Sequence, residues 1–217
     1  TPLMRNHSAM GTRLQEAYRF SNAEALGRII KLRYCLLPYL YSEYMKAALG
    51  DEMLFLPLAF AYPEDPHAAQ VEDQLLLGES LMLAPVCQQN AAGRYVYLPE
   101  DMLRVTTSGP DDFRCEKMDA GHHYVPVAEN ELIFFVRRGH LLPLAQTARN
   151  VEKLDASRLQ LIAYPAGTCR YTLYDDDGYG KDYENPAHLS TIDVSADGEV
   201  RYEGSTERTV TTCFICS

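Results

Sequence analysis

The first polar cluster of the chain, Arg5-Asn6-His7-Ser8, combines side chains that can bind a polar ligand. It directly follows an apolar triplet, Pro2-Leu3-Met4, and this order is typical of a buried strand that gives way to a site-forming loop. From such a loop a neutral His7 could donate a hydrogen bond to a ligand hydroxyl. The position alone favours a core histidine that fixes the end of a barrel.

Arg5 lies two residues before His7, so the two side chains would share one side of an extended strand. A buried guanidinium needs a carboxylate partner. We therefore expect Arg5 to pair with acidic side chains of a barrel, and a direct contact between Arg5 and a ligand is the alternative.

The residues after this cluster predict a loop and then one long helix. Ser21 and Glu24 have the spacing of a capping box at a helix start. Apolar residues then recur at helical spacing, so we predict a helix over 22–49 that ends at Gly50. Strand, polar loop and helix in this order describe the last βα unit of a parallel barrel, in which ligand-binding residues lie on loops after the strands.

Pro38 lies inside the predicted helix, and its missing backbone donor is expected to kink the helix near Tyr34. Tyr39, Tyr41 and Tyr44 add further aromatic side chains to the same segment. We expect these tyrosines to pack against the rest of a barrel rather than to line a ligand site.

From residue 51 onward the pattern is one of short strands. The run 53–60 contains Pro57, which favours a sheet edge or a bulge. The predicted fold class is α+β and mostly β: the last βα unit of a (β/α)8 barrel followed by two antiparallel β-sandwich domains. The predicted boundaries are 1–50 for the barrel end, 51–145 for the first β-domain, and 146–217 for the second, which is expected to be cut short.

The acidic run that begins at Asp175 allows a calcium site as one interpretation. Asp175, Asp177, Gly178 and Glu184 match positions of an EF-hand loop, but Leu173 would occupy the first ligand position and cannot bind a cation. An Asp-Gly pair between two strands favours a hairpin turn instead, and that is our prediction.

Two further sequence features suggest metal sites only weakly. His122 and His123 are neighbours on a predicted strand, so their side chains point to opposite faces and cannot bind one ion together. The six cysteines include one CxxC pair, Cys213 and Cys216, without the second pair or the histidines that a zinc site needs. We expect no metal and no cofactor.

The formal net charge of -10 bears on the class of partner. Nucleic acids and anionic membrane surfaces recruit basic proteins, so neither is expected as a partner. A neutral ligand is indifferent to net charge.

Seven blocks of the sequence, taken in chain order, resemble those of glycoside hydrolase family 31, the α-glucosidases and their relatives. The blocks are PLMRNHS, QEAYRF, LRYCLLPYLYSEY, LLLGESLMLAPV, RYVYLPE, FFVRRGHLLPL and YTLYDDDG. The resemblance extends only to the C-terminal part of that family. It departs from the pattern of many members at Tyr18, where those members have Trp close after the Gln-Glu pair, which affects only local packing.

The resemblance implies that both catalytic Asp residues belong to barrel strands upstream of Thr1, so no catalytic residue is expected in this chain. It implies that His7 contacts sugar hydroxyls. The implied parent enzyme is a retaining α-glucosidase that releases terminal α-linked glucose from oligosaccharides, and residues 1–217 alone should be inactive. An α-xylosidase or a lyase is the alternative within the family, and a non-catalytic carbohydrate-binding or supporting β-module is the alternative outside enzymes.

Assembly and location are expected as follows. A helix face that carries Leu26, Ile29, Leu36 and Leu40 would be exposed without a barrel, so the chain is expected to form a homo-oligomer, such as a symmetric dimer. The sequence leaves the cellular location open, and a cytoplasmic one is favoured.

Overall fold

The structure, a computed structural model, describes residue 7 and residues 9–215, with the backbone alone for residues 212–215. Helix α1 spans Ala23–Cys35, α2 spans Leu37–Gly50 and the short α3 spans Leu58–Ala61. The strands are β1 Phe55–Pro57, β2 Leu75–Leu77, β3 Leu81–Leu83, β4 Gly93–Leu98, β5 Met102–Gly109, β6 Asp112–Met118, β7 Gly121–Pro126, β8 Leu132–Arg137, β9 His140–Ala145, β10 Arg158–Tyr164, β11 Thr168–Tyr174, β12 Leu189–Ser195, β13 Val200–Gly204 and β14 Thr209–Ile215. Single 3-10 turns lie at Ala17–Arg19, Ala68–Gln70, Val151–Lys153 and Pro186–His188.

The prediction of one kinked helix is wrong, because α1 and α2 are separate helices that meet at Leu36. Pro38 lies in the first turn of α2, where a backbone N–H would have no helical partner, so the proline starts the second helix. The α2 helix includes Gly50, and Asp51 adopts the left-handed conformation (φ 52°) that ends it.

The predicted capping box at the start of α1 is also wrong. Asn22 is the N-cap residue, and it makes no side-chain capping bond. Glu24 instead pairs with Arg28 one turn later, at 3.0 Å. Such an exposed i,i+4 pair stabilises a helix only slightly, so packing must hold this helix end in place.

The strands form four sheets within the described residues. A six-stranded sheet has the order β1-β2-β3-β8-β5-β6, and three smaller sheets have the orders β14-β10-β9, β11-β12-β13 and β4-β7. The mostly β fold class is confirmed, and β1, with Pro57 at its end, is the predicted edge strand. One expectation is wrong in detail, since β14 pairs parallel to β10. The chain passes through β11, β12 and β13 before it returns, and this long crossover permits a parallel pair.

Strand β9 lies at the predicted boundary between the two β-domains, and it pairs with β10 along its whole length. One large apolar core runs from the helices through β8 and β9 into β11 and β12. Leu36 and Leu40 pack in this core, so half of the face that was expected to await a barrel is covered by the chain's own strands. Shared apolar packing therefore joins both β sets to the helix pair. The domain boundary at residue 145 stays a prediction.

Tyr39 shows how α2 holds the first β set. Its fully buried hydroxyl donates to the carbonyl of Leu77 at 2.6 Å and accepts the N–H of Ser80 at 3.0 Å. The expectation that this tyrosine packs against a barrel is wrong, because its partners belong to the turn between β2 and β3. The turn can approach the helix so closely because Gly78 has no side chain.

Glycine is required at position 78 for two reasons. The residue adopts a φ of +62°, and a Cβ atom there would overlap the carboxylate of Glu43. Gly178 has a similar φ of +72°, but a Cβ atom at that position would meet no heavy atom within 4 Å. Substitution of Gly178 therefore introduces backbone strain alone, whereas substitution of Gly78 introduces backbone strain together with steric overlap.

We predict that Gly178→Ala lowers the free energy of unfolding by about 1–2 kcal/mol, the cost of a left-handed conformation for a residue with a side chain. Gly78→Ala should lower it by a further 1–3 kcal/mol or so, because the overlap with Glu43 adds overpacking. Urea unfolding of both variants and the parent chain measures the difference. Equal losses in the two variants would show that the helix and the turn separate at no cost.

Candidate functional site

His7 is an exposed residue outside regular secondary structure. Arg5, the strand predicted at 2–4 and the neighbouring Ser8 lie outside the described residues. The structure therefore tests neither the role of His7 nor that of Arg5 in ligand binding, and both stay predictions. What it describes is the segment after His7 and the elements to which this segment is attached.

The segment after His7 is a short loop without a buried side chain. A turn closes between Ala9 and Thr12, where the Thr12 hydroxyl donates to the Ala9 carbonyl at 2.7 Å. The 3-10 turn at Ala17–Arg19 follows, and Glu16 pairs with Arg19 at 3.0 Å. Glu16 is thus committed to a local ion pair.

Glu43 and Glu79 both lie close to Lys46. Two neighbouring carboxyl groups are what a glycosidase needs for catalysis. The Lys46 ammonium lies 2.7 Å from Glu43 Oε1 and 3.5 Å from Glu79 Oε1. The same Oε1 of Glu43 accepts the Tyr171 hydroxyl at 2.7 Å, and Oε2 accepts the Glu79 N–H at 2.8 Å. We call these four residues together with Tyr39 the Glu43 junction.

The Glu43 junction is suited to holding the chain together and unsuited to attack on a sugar. Glu43 is only 4% exposed, and each of its oxygens already accepts hydrogen bonds from the protein. Burial raises the pKa of the Glu79 carboxyl, and the nearby Lys46 ammonium offsets part of that effect. Burial, followed by the charge of Glu43, also raises the pKa of the Tyr171 hydroxyl, which therefore stays a hydrogen-bond donor.

The acidic run at Asp175 forms part of a long connection between β11 and β12. Asp175 pairs with the buried side chain of Arg208, and Asp176 accepts the hydroxyl of Tyr41 at 2.9 Å. Asp177 accepts two backbone N–H groups, those of Tyr179 at 2.9 Å and Gly180 at 2.8 Å. The predicted hairpin turn at Asp177-Gly178 is wrong, because β11 ends at Tyr174 and β12 begins only at Leu189. The carboxylates of this long loop brace the loop and α2.

The histidine pair on β7 is arranged as the sequence predicts. His122 and Tyr97 face each other across β4 and β7 with ring centroids 4.7 Å apart, while Nε2 of His123 lies 2.7 Å from the carbonyl of Asp119. Within the part of the chain that the structure describes, no group of three or more His, Cys, Asp or Glu side chains is placed to hold a metal ion. None of the described helices is long and apolar enough to cross a membrane.

Two features escaped the sequence reasoning. Glu43 could have been noticed as an acidic residue one turn after Tyr39 on the apolar side of a helix. The exposed pair Tyr95 and Tyr124 could have been noticed from the outward positions of two strands, but only the register shows that they are opposite each other.

Comparison with protein families decides the class of the chain. Residues 1–43 match the model described as "Glycosyl hydrolases family 31 TIM-barrel domain", and residues 51–142 match that of the "Glycosyl hydrolase family 31 C-terminal domain". The chain belongs to glycoside hydrolase family 31. His7 and Arg5 thus fall in the stretch that matches the barrel domain of the family, and the Glu43 junction links that stretch to the C-terminal domain.

Proteins named alpha-glucosidase are similar to large parts of the chain. Alpha-glucosidase 2 of Bacillus thermoamyloliquefaciens is 30% identical over 87% of the chain, and the lysosomal alpha-glucosidase of Bos taurus is 41% identical over 46% of it. The chain spans 24% and 11% of the lengths of these two proteins. It therefore corresponds to about a quarter or less of such relatives.

Solved structures of family 31 share the fold. The alpha-xylosidase of Xanthomonas citri matches 98% of the chain with a TM-score of 0.72 and 26% identity, over 24% of its own length. A dextranase of Flavobacterium johnsoniae complexed with glucose matches 88% of the chain with the same TM-score and 24% identity, again over 24% of its length. At this identity the dextranase supports the fold alone.

His140 lies at the start of β9, and we expect the stability of the chain to depend on pH through its imidazole. Burial lowers its pKa to about 4, and the Arg137 guanidinium contributes to the same direction. Lys46 also lowers this pKa, while Glu100 and Glu43 oppose the shift. The folded chain therefore keeps this imidazole neutral at pH values where an unfolded chain would protonate it.

We predict that acidification destabilises the chain through His140. Its folded-state pKa lies below its unfolded value, so the unfolded chain binds more protons and stability is lost as the pH falls from about 6.5 towards 4. Between pH 7 and pH 5 this group alone should remove about 2 kcal/mol of unfolding free energy. Denaturant unfolding at both pH values should show a smaller loss in His140→Gln, and an equal loss in the two proteins would contradict the assignment.

Proposed function

We propose that this chain is the C-terminal part of a retaining α-glucosidase, an enzyme that releases terminal α-linked glucose from oligosaccharides. The similarity to relatives named alpha-glucosidase, at 30% identity over 87% of the chain, carries this proposal. In that enzyme the chain would provide the end of the barrel, a substrate-orienting histidine and the β-domains that brace both.

Exposed apolar side chains on the N-terminal segment support the idea that it packs against further parts of an enzyme. Met10, Leu14, Tyr18 and Phe20 expose large apolar side chains within a short stretch. Removing apolar surface from water is favourable by about 25 cal/mol per Å2, so such a stretch gains from contact with further barrel elements. This observation favours an enzyme part over an independent sugar-binding module.

The chemistry of a retaining glycosidase needs a nucleophile and an acid/base carboxyl group about 5 Å apart at a sugar-sized opening. Glu43 and Glu79 are close together but do not meet this requirement, because Glu43 is sealed in the core by its own hydrogen bonds. We therefore place both catalytic carboxylates of the proposed enzyme outside this chain, as the family resemblance implies.

His7 would act on the substrate as a hydrogen-bond donor from an exposed loop. In an oxocarbenium-like transition state, positive charge develops on the sugar ring, and hydrogen bonds to ring hydroxyls strengthen. A neutral imidazole orients the ring without adding a repelling charge. Arg5 would support the loop by pairing with barrel carboxylates, and direct contact with the sugar remains its alternative role.

An α-xylosidase is the second candidate, because the Xanthomonas citri structure similar to 98% of this chain carries that name. Glucosides and xylosides differ at the C6 hydroxymethyl group of the sugar. Hydrolysis of matched aryl α-glucoside and aryl α-xyloside substrates by the whole enzyme separates the candidates, and preference for the xyloside would overturn the proposed glucosidase.

We predict that residues 1–217 alone hydrolyse neither substrate, whereas the enzyme that contains them together with a complete barrel does. Loss of both carboxylate functions removes acid catalysis and the covalent route together. Release of the aryl group, followed by absorbance, measures both proteins at equal concentration. Turnover by the purified 217-residue chain above the blank would refute the placement of the carboxylates.

We predict that His7→Ala in the whole enzyme lowers kcat/KM on its best disaccharide by about 5- to 150-fold, the effect of one hydrogen bond worth about 1–3 kcal/mol. The melting temperature should stay close to that of the parent, because the loop that carries His7 is expected at the mouth of the barrel. His123→Ala is the matched control, since His123 contacts the backbone carbonyl of Asp119 just before β7, and it should retain full kcat/KM. A His7→Ala enzyme with lower stability and unchanged kcat/KM would identify a structural histidine instead.

A further inference from the structure

The outer side of the β4–β7 ribbon carries an aromatic surface that the proposed function does not use. We call it the tyrosine face, and it consists of Tyr95, Tyr97, His122 and Tyr124. Tyr95 lies opposite Tyr124 and Tyr97 lies opposite His122 in the register of the two strands. The ring centroids of the first pair are 5.3 Å apart in an edge-to-face arrangement, and those of the second are 4.7 Å apart, with the His67 ring packed against the second pair.

Tyr95 and Tyr124 are not needed to cover the core, whereas Tyr97 packs partly against it. The alternate residues Val96 and Val125 point inward and are almost completely buried in the second apolar cluster. On the outer side, Tyr95 remains 75% exposed and Tyr124 54% exposed. Two large rings open to water on a sheet surface are unfavourable unless they serve binding or pairing.

A cleft of about 510 Å3 opens beside the exposed tyrosine pair. Tyr95 and Tyr124 form one part of its lining, and Asp73, Gln88 and Arg94 supply polar groups. Aromatic walls with a few polar groups are the composition of small-ligand sites, and this volume lies in their usual range. The combination suits a ligand with one apolar face and many hydroxyl groups.

The charges of the cleft favour a neutral ligand. Arg94 pairs with Asp73 at 2.6 Å and donates from Nε to the carbonyl of Tyr95 at 3.0 Å. It also donates to the carbonyl of Pro85, so its guanidinium is occupied by the protein and cannot recruit an anion. Asp73 is balanced by the same arginine, which leaves its exposed oxygens as hydrogen-bond acceptors without a net charge in the cleft.

We propose that the tyrosine face and its cleft bind a segment of a neutral oligosaccharide. A pyranose ring has a face of C–H groups that complements the negative face of a tyrosine ring, and its hydroxyls can bond to Asp73 and Gln88. The exposed Tyr95–Tyr124 pair offers a sugar unit an aromatic surface on which to stack. The choice of an α-glucan rests on the proposed function, while the chemistry of the cleft requires only a neutral carbohydrate.

The plain structural explanation is that the cross-strand rings stabilise a two-stranded ribbon. Such pairs contribute to sheet stability, and the ribbon has no third strand. That explanation predicts a change in melting temperature alone when the rings are removed. Binding of a sugar is a readout that a purely stabilising pair would not show.

The test is a calorimetric titration of the 217-residue chain with maltoheptaose. The parent chain should bind saturably, and Tyr95→Ala/Tyr124→Ala should bind about tenfold more weakly or not at all, since two stacking contacts are lost. Tyr95→Leu/Tyr124→Leu keeps apolar bulk on the ribbon and is the second variant in case the first fails to fold. Tyr179→Ala removes a ring that is 93% exposed elsewhere and should bind like the parent.

Several outcomes would overturn the inference. The absence of saturable binding by the parent at millimolar sugar is one, and equal binding by parent and folded double variants is another. Tighter binding of an oligogalacturonate than of maltoheptaose would contradict the neutral cleft. If light scattering shows that the double variant loses self-association, the face is a contact between copies of the chain. Hydrolysis of aryl α-glucoside tests the proposed function separately, so either conclusion can fail without the other.

Discussion

The Glu43 carboxylate joins three parts of the chain that are distant in sequence. It accepts hydrogen bonds from the Lys46 ammonium on α2, from the N–H of Glu79 in the turn before β3, and from the hydroxyl of Tyr171 on β11. A buried carboxylate is costly unless its hydrogen bonds are satisfied, so each partner is held where Glu43 requires it. The absence of a side chain at Gly78 is the steric condition for this arrangement.

This constraint explains how a segment that matches a barrel domain is joined to β-sheets. Helix α2 presents Tyr39 and Glu43 to the first β set, and Ser42 accepts the N–H of Tyr174 from the second at 2.9 Å. Polar bonds set the position of each strand along the helix, while the apolar core supplies most of the favourable burial. A loop that carries His7 would gain from this support, because orientation of a substrate requires a fixed base.

The acidic side chains near the helices and the exposed tyrosines of the β4–β7 ribbon differ in whether the chain itself supplies their partners. Carboxylates near the helices, such as Asp175 and Asp176, are engaged by Arg208 and by Tyr41. Tyr95 and Tyr124, by contrast, contact mainly each other and solvent. Side chains with satisfied partners stabilise the fold, whereas the exposed Tyr95–Tyr124 pair leaves an aromatic surface available for binding.

The sequence by itself determined the mostly β architecture, the edge strand at Pro57 and the family, because these depend on local periodicity and on motifs in chain order. The break at Leu36 was missed, since a proline inside a periodic pattern predicts either a kink or a new helix, and packing chooses between them. Only the tertiary structure decided the partners of Glu43, the parallel β10–β14 pair and the Tyr95–Tyr124 contact. Each depends on residues far apart in sequence, whose proximity results from the register of strands and the burial of shared apolar surface.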